Sequence, residues 1–253
     1  MSRQGFAWWS FAEGRTLPAE FLESAWSAGM RGIDFLPKEL RPEAKRIGYQ
    51  LLAIDGHPSV DEGANDAARG PELVGQLRDA IADAHEVGAR FVTIAAGTRS
   101  GASDGQAMAA CLDVIGRVAD DARQAGVGIL LEPLNSRYDH PGHQCDTVEW
   151  ARAVIDRFGD PVLSLLFDVY HVQLMQGDVT NRLQDNADVL GHIHTAGVPG
   201  RAEIGPEQEL NYGWVASVLD TIEYDGWVVH EFLTTRDPAA ALRQAYEVFD
   251  RAR

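Results

Sequence analysis

The chain has 253 residues, of which 45% are hydrophobic and 24% are charged, and its formal net charge is −16 at pH 7. This length suits one large α/β domain, and the negative charge opposes binding to a phosphate backbone, which needs clustered Lys and Arg. We therefore expect a small-molecule partner and no nucleic acid. No stretch approaches the roughly 20 apolar residues of a membrane span, and no secretion signal is recognised, so we expect no membrane association.

The two cysteines, Cys111 and Cys145, lack the spacing of a zinc knuckle. A structural disulfide is not expected either, which favours a reducing, cytoplasmic setting. A homo-oligomer is compatible with the sequence, which does not specify an oligomeric state.

The chain repeats one cycle of a polar loop, an amphipathic helix, a glycine and a short apolar run, which is typical of alternating helices and parallel strands. The predicted strands are Gly5–Trp8, Gly32–Phe35, Gln50–Ile54, Phe91–Ala95, Gly128–Glu132, Ser164–Asp168, Gly191–Thr195 and Trp227–Glu231. Eight strands separated by helices predict a single (β/α)8 TIM barrel domain over residues 1–253. A doubly wound open sheet is the structural alternative, although no G-x-G-x-x-G follows the first strand.

The helices between these strands are marked by apolar stripes and by glycines that end them. One helix is predicted over Pro71–Val87, and a second carries a stripe from Met108 to Ala122 and ends at Gly126. Asp146 and Glu149 have the spacing of a capping box and predict a helix that opens at Asp146. Pro42 interrupts the segment before Gly48, so the helix there is expected to be short or kinked.

Reactive groups stand at the ends of the last four predicted strands. The runs GILLE, SLLFD, GHIHT and WVVHE deliver Glu132, Asp168, His194 and Glu231. Barrel enzymes place their active sites at the carboxyl ends of the strands, where three carboxylates would repel one another unless a cation lay between them. A single acid at a strand end is more often a helix cap, and a lone histidine is more often a core residue, but four coincidences on consecutive strands favour one metal site.

These four side chains offer oxygen ligands and one nitrogen, which suits Mn²⁺, Mg²⁺ or Co²⁺ better than Zn²⁺, although Zn²⁺ also accepts such a set. Glu132 and Glu231 would flank a chelated hydroxycarbonyl substrate. One glutamate would take a proton from the carbon beside the carbonyl and the other would return one, while the cation stabilised the enediolate. This route brings solvent hydrogen into the product.

The carboxyl-terminal half resembles a known family in several long motifs. They are EPLNSRYDHPG (Glu132–Gly142), FDVYHVQLMQGD (Phe167–Asp178), GHIHTAGVPGRAE (Gly191–Glu203), ELNY (Glu209–Tyr212) and YDGWVVHEF (Tyr224–Phe232). By these motifs the chain resembles the xylose isomerase-like TIM barrels, and among them most closely the hydroxypyruvate isomerases. The resemblance implies a metal-dependent isomerase in which Glu132 and Glu231 are both catalytic residues and metal ligands, Asp168 and His194 complete the metal site, and His171 and Arg201 bind substrate oxygens.

The chain departs from the hydroxypyruvate isomerase pattern at two places. Those enzymes typically carry glutamine where this chain has His194, whereas ketose 3-epimerases of the same superfamily carry histidine there. The segment Glu203–Glu209 also differs. An isomerase of hydroxypyruvate or a related 2-oxo acid sugar therefore ranks first and a ketose 3-epimerase second, followed by a non-catalytic sugar-binding or partner barrel. An apurinic endonuclease, which shares the barrel, needs further histidines on earlier strand ends, and the fourth strand here ends Ala95-Ala96-Gly97.

Overall fold

The structure, a computed structural model, describes residues 3–12 and 18–250. Strands within that range are β1 Arg3–Ala7, β2 Gly32–Asp34, β3 Gln50–Leu51, β4 Ala53–Asp55, β5 Phe91–Ile94, β6 Gly128–Leu131, β7 Leu163–Asp168, β8 Leu190–Thr195 and β9 Trp227–His230. The α-helices are α1 Trp8–Ala12, α2 Pro18–Ser27, α3 Arg41–Ile47, α4 Gly70–Val87, α5 Asp104–Ala125, α6 Val148–Phe158, α7 Val169–Met175, α8 Val179–Asp185, α9 Tyr212–Thr221 and α10 Pro238–Asp250.

The strands form one sheet in the order β3-β2-β1-β9-β8-β7-β6-β5-β4. The pairings β1–β2, β1–β9, β2–β3, β4–β5, β5–β6, β6–β7 and β8–β9 are parallel, and helices separate most consecutive strands, as the sequence predicts. The third predicted strand is divided in the structure. Gln50 pairs with Gly32 of β2, whereas Ala53 pairs with Phe91 of β5. One extended segment therefore supplies both β3 and β4, which are the first and the last strand in the sheet order.

By their contacts the residues fall into two compact units. Unit 1 comprises Met1–Leu52, Asp178–Ala187 and His192–Arg253, and unit 2 comprises Ala53–Gly177 and Asp188–Gly191. Strand β8 begins in unit 2 with Leu190 and Gly191 and continues in unit 1 from His192. That the chain is a single domain over residues 1–253 stays a prediction.

The helices of unit 2 follow the sequence pattern closely. Helix α4 buries the predicted stripe and ends at Gly88, whose φ of 75° is a left-handed conformation that favours glycine. Helix α5 ends in the same way at Gly126 and begins with a capping box between Ser103 and Gln106.

The predicted start of α6 is wrong by one residue. The cap is Thr147, whose side chain accepts a hydrogen bond from the Trp150 backbone N–H, and not Asp146. Asp146 is engaged elsewhere, because its carboxylate accepts a hydrogen bond from Ser136 Oγ at 2.7 Å and pairs with Arg99. Spacing alone did not distinguish two adjacent residues that are both able to cap a helix.

Unit 1 is built around an aromatic core. The ring of Phe6 on β1 lies 5.8 Å from Phe11 and 5.4 Å from Phe21, and Phe11 in turn lies 4.9 Å from Phe232. These edge-on contacts fix α1, α2 and the segment after β9 against the sheet. Helix α3 is short, as expected, and it accommodates Pro42 in its first turn, where no intrahelical donor is required.

No helix among residues 3–12 and 18–250 combines the length and the apolar character that a membrane crossing requires.

Candidate active site

The four residues predicted as metal ligands all lie at the carboxyl ends of their strands. Asp168 is the last residue of β7 and His194 is the last but one of β8. Glu132 and Glu231 come directly after β6 and β9, one residue beyond the strand ends. Asp168, His194 and Glu231 are buried, and Glu132 is half-buried. The strand-end rule therefore located all four correctly along the chain.

In unit 2, Glu132 and Asp168 each offer a carboxylate oxygen, and these atoms lie within 4.8 Å of each other. Asp168 also caps α7, because its Oδ1 accepts hydrogen bonds from the backbone N–H groups of Tyr170 at 2.8 Å and His171 at 3.4 Å. The cap uses Oδ1, so the predicted ligand role would fall to Oδ2 of the same carboxylate. The helix cap fixes the side chain, so Oδ2 is presented in a defined direction.

The imidazole of His171, predicted to bind substrate, is held in one tautomer. Its Nδ1 accepts a hydrogen bond from the Asn135 backbone N–H at 3.1 Å and lies 2.6 Å from Nδ2 of the same residue. Because Nδ1 is an acceptor, a neutral ring carries its proton on Nε2. That nitrogen lies 3.5 Å from Asp168 Oδ2, which places a donor beside the predicted metal ligand.

In unit 1, each oxygen of the Glu231 carboxylate accepts a hydrogen bond. The indole Nε1 of Trp9 donates to Oε1 at 2.6 Å, and the guanidinium of Arg201 donates to Oε2 at 2.5 Å. Burial alone would raise the pKa of Glu231, but the electrostatic interaction with His194 and then the positive charge of Arg201 outweigh it and hold the pKa well below its ordinary value. Glu231 is therefore ionised at neutral pH.

His194 lies between two carboxylates of unit 1. Its Nε2 is 2.9 Å from Asp34 Oδ2, and its Nδ1 is 3.2 Å from Glu231 Oε2. Asp34 also contacts Nε2 of His192 at 2.8 Å. Burial alone would raise the pKa of Asp34, but the two imidazoles lower it to about 2. An ionised carboxylate only accepts, so both Nε2 atoms carry protons.

This tautomer shapes the chemistry on the other side of the ring. With its Nε2 proton on Asp34, a neutral His194 directs the Nδ1 lone pair at Glu231 Oε2, which is also an acceptor. Two acceptors that face each other at 3.2 Å need a proton or a cation between them. The donor set of one imidazole nitrogen and one carboxylate oxygen fits a divalent cation at that position.

Arg201 is nine-tenths buried, and the structure places it on Glu231. Its guanidinium also lies 5.1 Å from the centre of the Trp9 ring, so the cation, the indole and the carboxylate form one cluster. The loop that carries Arg201 is held by a neighbouring side chain, because Glu203 accepts hydrogen bonds from Thr234 Oγ1 and the Thr235 backbone N–H. The bracing ties this loop to the segment that follows Glu231.

Sequence reasoning missed three residues of these clusters. Asp34 ends β2 in the predicted strand Gly32–Phe35, so the strand-end rule would have found it had it been applied to every strand. Asn135 stands within the quoted motif EPLNSRYDHPG. Trp9 had no signal, since nothing in the spacing of α1 shows that its indole reaches β9.

Comparisons with known proteins identify the family of the chain. A family model described as xylose isomerase-like TIM barrel matches residues 6–252, which confirms the predicted fold class. The chain is 33% identical to 2-oxo-tetronate isomerase from Cupriavidus necator, over 87% of this chain and 88% of that protein. It is 29% identical to hydroxypyruvate isomerase from Escherichia coli, over 87% of this chain and 90% of that protein.

Among solved structures, one described as AP endonuclease, family 2, from Brucella melitensis superposes with a TM-score of 0.88 at 25% sequence identity, and the alignment covers 98% of each chain. The resemblance stated from the motifs, to the xylose isomerase-like barrels and to hydroxypyruvate isomerases, is confirmed by the family model and by the named relatives.

Proposed function

Because the chain belongs to the xylose isomerase-like TIM barrel family, we propose that it is an isomerase of small sugar acids, acting on hydroxypyruvate or a related 2-oxo acid sugar. The observation that carries the proposal is the placement of Glu132, Asp168, His194 and Glu231 at the carboxyl ends of strands that are consecutive in the sheet order. Two relatives named as isomerases of such substrates support it.

In this proposal the four side chains hold one divalent cation. Glu132 and Asp168 form one ligand pair, and His194 and Glu231 form the other. Strands β6, β7, β8 and β9 follow one another in the sheet, and barrels gather the carboxyl ends of their strands at one face. Mn²⁺, Mg²⁺ and Co²⁺ suit this set better than Zn²⁺.

The proposed reaction moves hydrogen between two neighbouring carbons of the substrate. When bound, the cation polarises the carbonyl and hydroxyl oxygens. One glutamate of the pair Glu132 and Glu231 takes the proton from the hydroxyl-bearing carbon, and the other delivers a proton to the former carbonyl carbon, while a proton passes from the hydroxyl to the carbonyl oxygen. Glu231 is ionised at neutral pH, which both a ligand and a proton acceptor require.

His171 and Arg201 are the proposed substrate-binding residues. The Nε2 proton of His171 is a donor for a substrate oxygen beside Asp168. Arg201 donates to Glu231 Oε2 and to the Glu231 carbonyl oxygen, and a guanidinium, whose planar fork matches a carboxylate, would bind a substrate carboxylate next to the proposed catalytic glutamate. Arg201 would thus orient Glu231 and the substrate together.

A ketose 3-epimerase is the second candidate, and the histidine at position 194 favours it. Such an enzyme would use the same two glutamates on opposite faces of one carbon. A non-catalytic barrel is the alternative of another class, and metal binding with turnover would exclude it.

Two histidines near the end of β5 argue against a nuclease that binds several metal ions. The Ala95 backbone N–H donates to His57 Nε2, and the Gly97 backbone N–H donates to His143 Nε2. Burial lowers the pKa of both rings, that of His143 to about 4, so each ring is neutral with its other nitrogen protonated. Neither histidine then has a lone pair for a metal.

The proposal is tested by incubating the protein with Mn²⁺ in deuterated water with hydroxypyruvate, 2-oxo-tetronates and ketohexoses. We expect interconversion of a 2-oxo acid sugar with deuterium on the former carbonyl carbon. Deuterium at carbon 3 of an epimerised ketohexose would instead establish the epimerase. The variants Glu132→Gln and Glu231→Gln should abolish turnover without unfolding the chain, and turnover within tenfold of the wild type in both would reject the catalytic pair.

A further inference from the structure

The hydrogen bond between Asp34 and His194 is a feature that the proposed reaction does not use directly. We propose that Asp34 is a positioning residue, which binds the Nε2–H of His194 and so directs Nδ1 of that ring to the metal. The inference rests on the proposed function, because it takes His194 to be a metal ligand.

Asp34 reaches His194 from a strand that carries none of the proposed ligands. It is the last residue of β2, it is fully buried, and its Oδ2 lies 2.9 Å from His194 Nε2. The opposite nitrogen, Nδ1, faces Glu231. A histidine that ligates through one nitrogen usually donates its other N–H to a carboxylate or carbonyl, which fixes the ring and raises its basicity. The row Asp34, His194, Glu231 has this arrangement.

His192 makes the arrangement more rigid. It lies on the same strand two residues before His194, and its Nε2 is 2.8 Å from the same oxygen of Asp34. Two N–H groups therefore converge on one carboxylate oxygen, so rotation of the Asp34 side chain would break both bonds. The orientation of the His194 ring is set by this pair of hydrogen bonds as well as by packing against Phe35, whose ring centre is 6.1 Å away.

A purely structural role explains the cluster less well. A fully buried carboxylate is costly unless it is paired, and apolar residues of similar size often replace such pairs without loss of stability. An Asp and two His in the interior of unit 1 contribute specific geometry instead. The geometry that they fix is that of His194.

The experiment measures Mn²⁺ affinity by isothermal titration calorimetry in wild type, Asp34→Asn and Asp34→Ala. Asparagine keeps an oxygen acceptor but not the charge, whereas alanine removes both. We expect alanine to weaken Mn²⁺ binding about 10- to 100-fold and asparagine to restore part of the loss. Gln4→Ala is the matched control, because Gln4 is a buried side chain whose Oε1 lies 3.0 Å from Nε2 of His230, a buried histidine that is not a proposed ligand.

The control should leave Mn²⁺ affinity within threefold of the wild type, with circular dichroism confirming that each variant is folded. If wild type and control bind Mn²⁺ and Asp34→Ala binds it equally well, the role of Asp34 is overturned while the proposed function stands. If the wild type binds no Mn²⁺, the metal site of the proposed function fails and this inference fails with it.

A second measurement tests the same proposal with Asp34 unchanged. In wild type loaded with diamagnetic Zn²⁺, a long-range ¹H–¹⁵N correlation spectrum shows which ring nitrogen of each histidine carries the proton, and His194→Gln identifies the signals of His194. We expect the proton on Nε2 and the metal on Nδ1. A proton on Nδ1 with the metal on Nε2 would overturn the proposal, because Asp34 would then have no proton to hold.

Discussion

The ion pair between Arg201 and Glu231 gives a prediction whose size follows from burial. The guanidinium is nine-tenths buried, Glu231 is almost completely buried, and their N···O distance is 2.5 Å. Removal of one partner of a buried pair costs about 3–5 kcal/mol. Because Trp9 and His194 still contact the carboxylate, we expect Arg201→Met to lower the free energy of unfolding by about 3 kcal/mol, near the lower limit.

For a chain of this length, 1 kcal/mol shifts the melting temperature by roughly 2–4 °C, so Arg201→Met should melt about 6–12 °C below the wild type at pH 7. The assay is thermal and urea unfolding in the presence of a chelator, so that metal does not contribute. Arg46→Met is the matched control, because Arg46 also pairs with two glutamates but is exposed. Exposed pairs are screened by solvent and contribute little to stability, so the control should melt much closer to the wild type than Arg201→Met does.

The same pair predicts a pH dependence with a definite sign. Arg201 helps to hold the pKa of folded Glu231 below its ordinary value, so the stabilisation is complete above the pKa of the unfolded state and is lost as the pH falls. The difference in stability between wild type and Arg201→Met should therefore shrink from about pH 5 downward. A difference no larger than that of the Arg46 control, or one that stays constant from pH 7 to pH 3, would refute the reasoning.

Two further predictions concern packing and reactivity. Gly32→Ala should destabilise the fold by about 1–3 kcal/mol, since a Cβ there would lie 2.5 Å from Leu52 Cδ1 and 2.7 Å from the Trp227 ring. Gly75→Ala lies in open space on α4 and should instead raise stability by roughly 0.5–1 kcal/mol. Urea unfolding measures both, and equal effects of the two substitutions would contradict the packing described for Gly32. Cys111 and Cys145 are buried, which raises the pKa of Cys111 to about 12, so neither thiol should react with Ellman's reagent until the chain unfolds; rapid labelling of the native protein would show that the core is accessible.

Much of the fold was predictable because helix and strand periods follow directly from burial. The apolar stripe of α4, the glycines that end α4 and α5, and the proline in the first turn of α3 are local signals with one structural solution. The division of the third strand was not predictable from such a signal. Gln50 and Ala53 differ in which neighbouring strand they pair with, and this depends on the whole sheet.

In the candidate site, too, some features were predictable from the sequence and others were not. The chain positions of Glu132, Asp168, His194 and Glu231 followed from the strand-end rule, because carboxyl ends are where parallel strands present side chains to a ligand. The partners of these residues depend on rotamers and on loops distant in sequence. Arg201 reaches Glu231 from another loop, and Trp9 does so from the amino-terminal helix, so no spacing reports either contact.

The roles of the site residues, the metal, a cytoplasmic location and any oligomer stay predictions. Among them the shared cation is central, since without it the carboxylates at the strand ends would repel one another. Calorimetric titration with Mn²⁺ tests it most directly in wild type, in Glu132→Gln, in Glu231→Gln and in Glu43→Gln, which alters a partly exposed surface glutamate as the control.

We predict one Mn²⁺ per chain in the wild type and in the control, and affinity at least tenfold weaker in both site variants, one of which changes the end of β6 and the other the end of β9. Unchanged affinity in either site variant, or a wild type that binds no ion, would contradict the account.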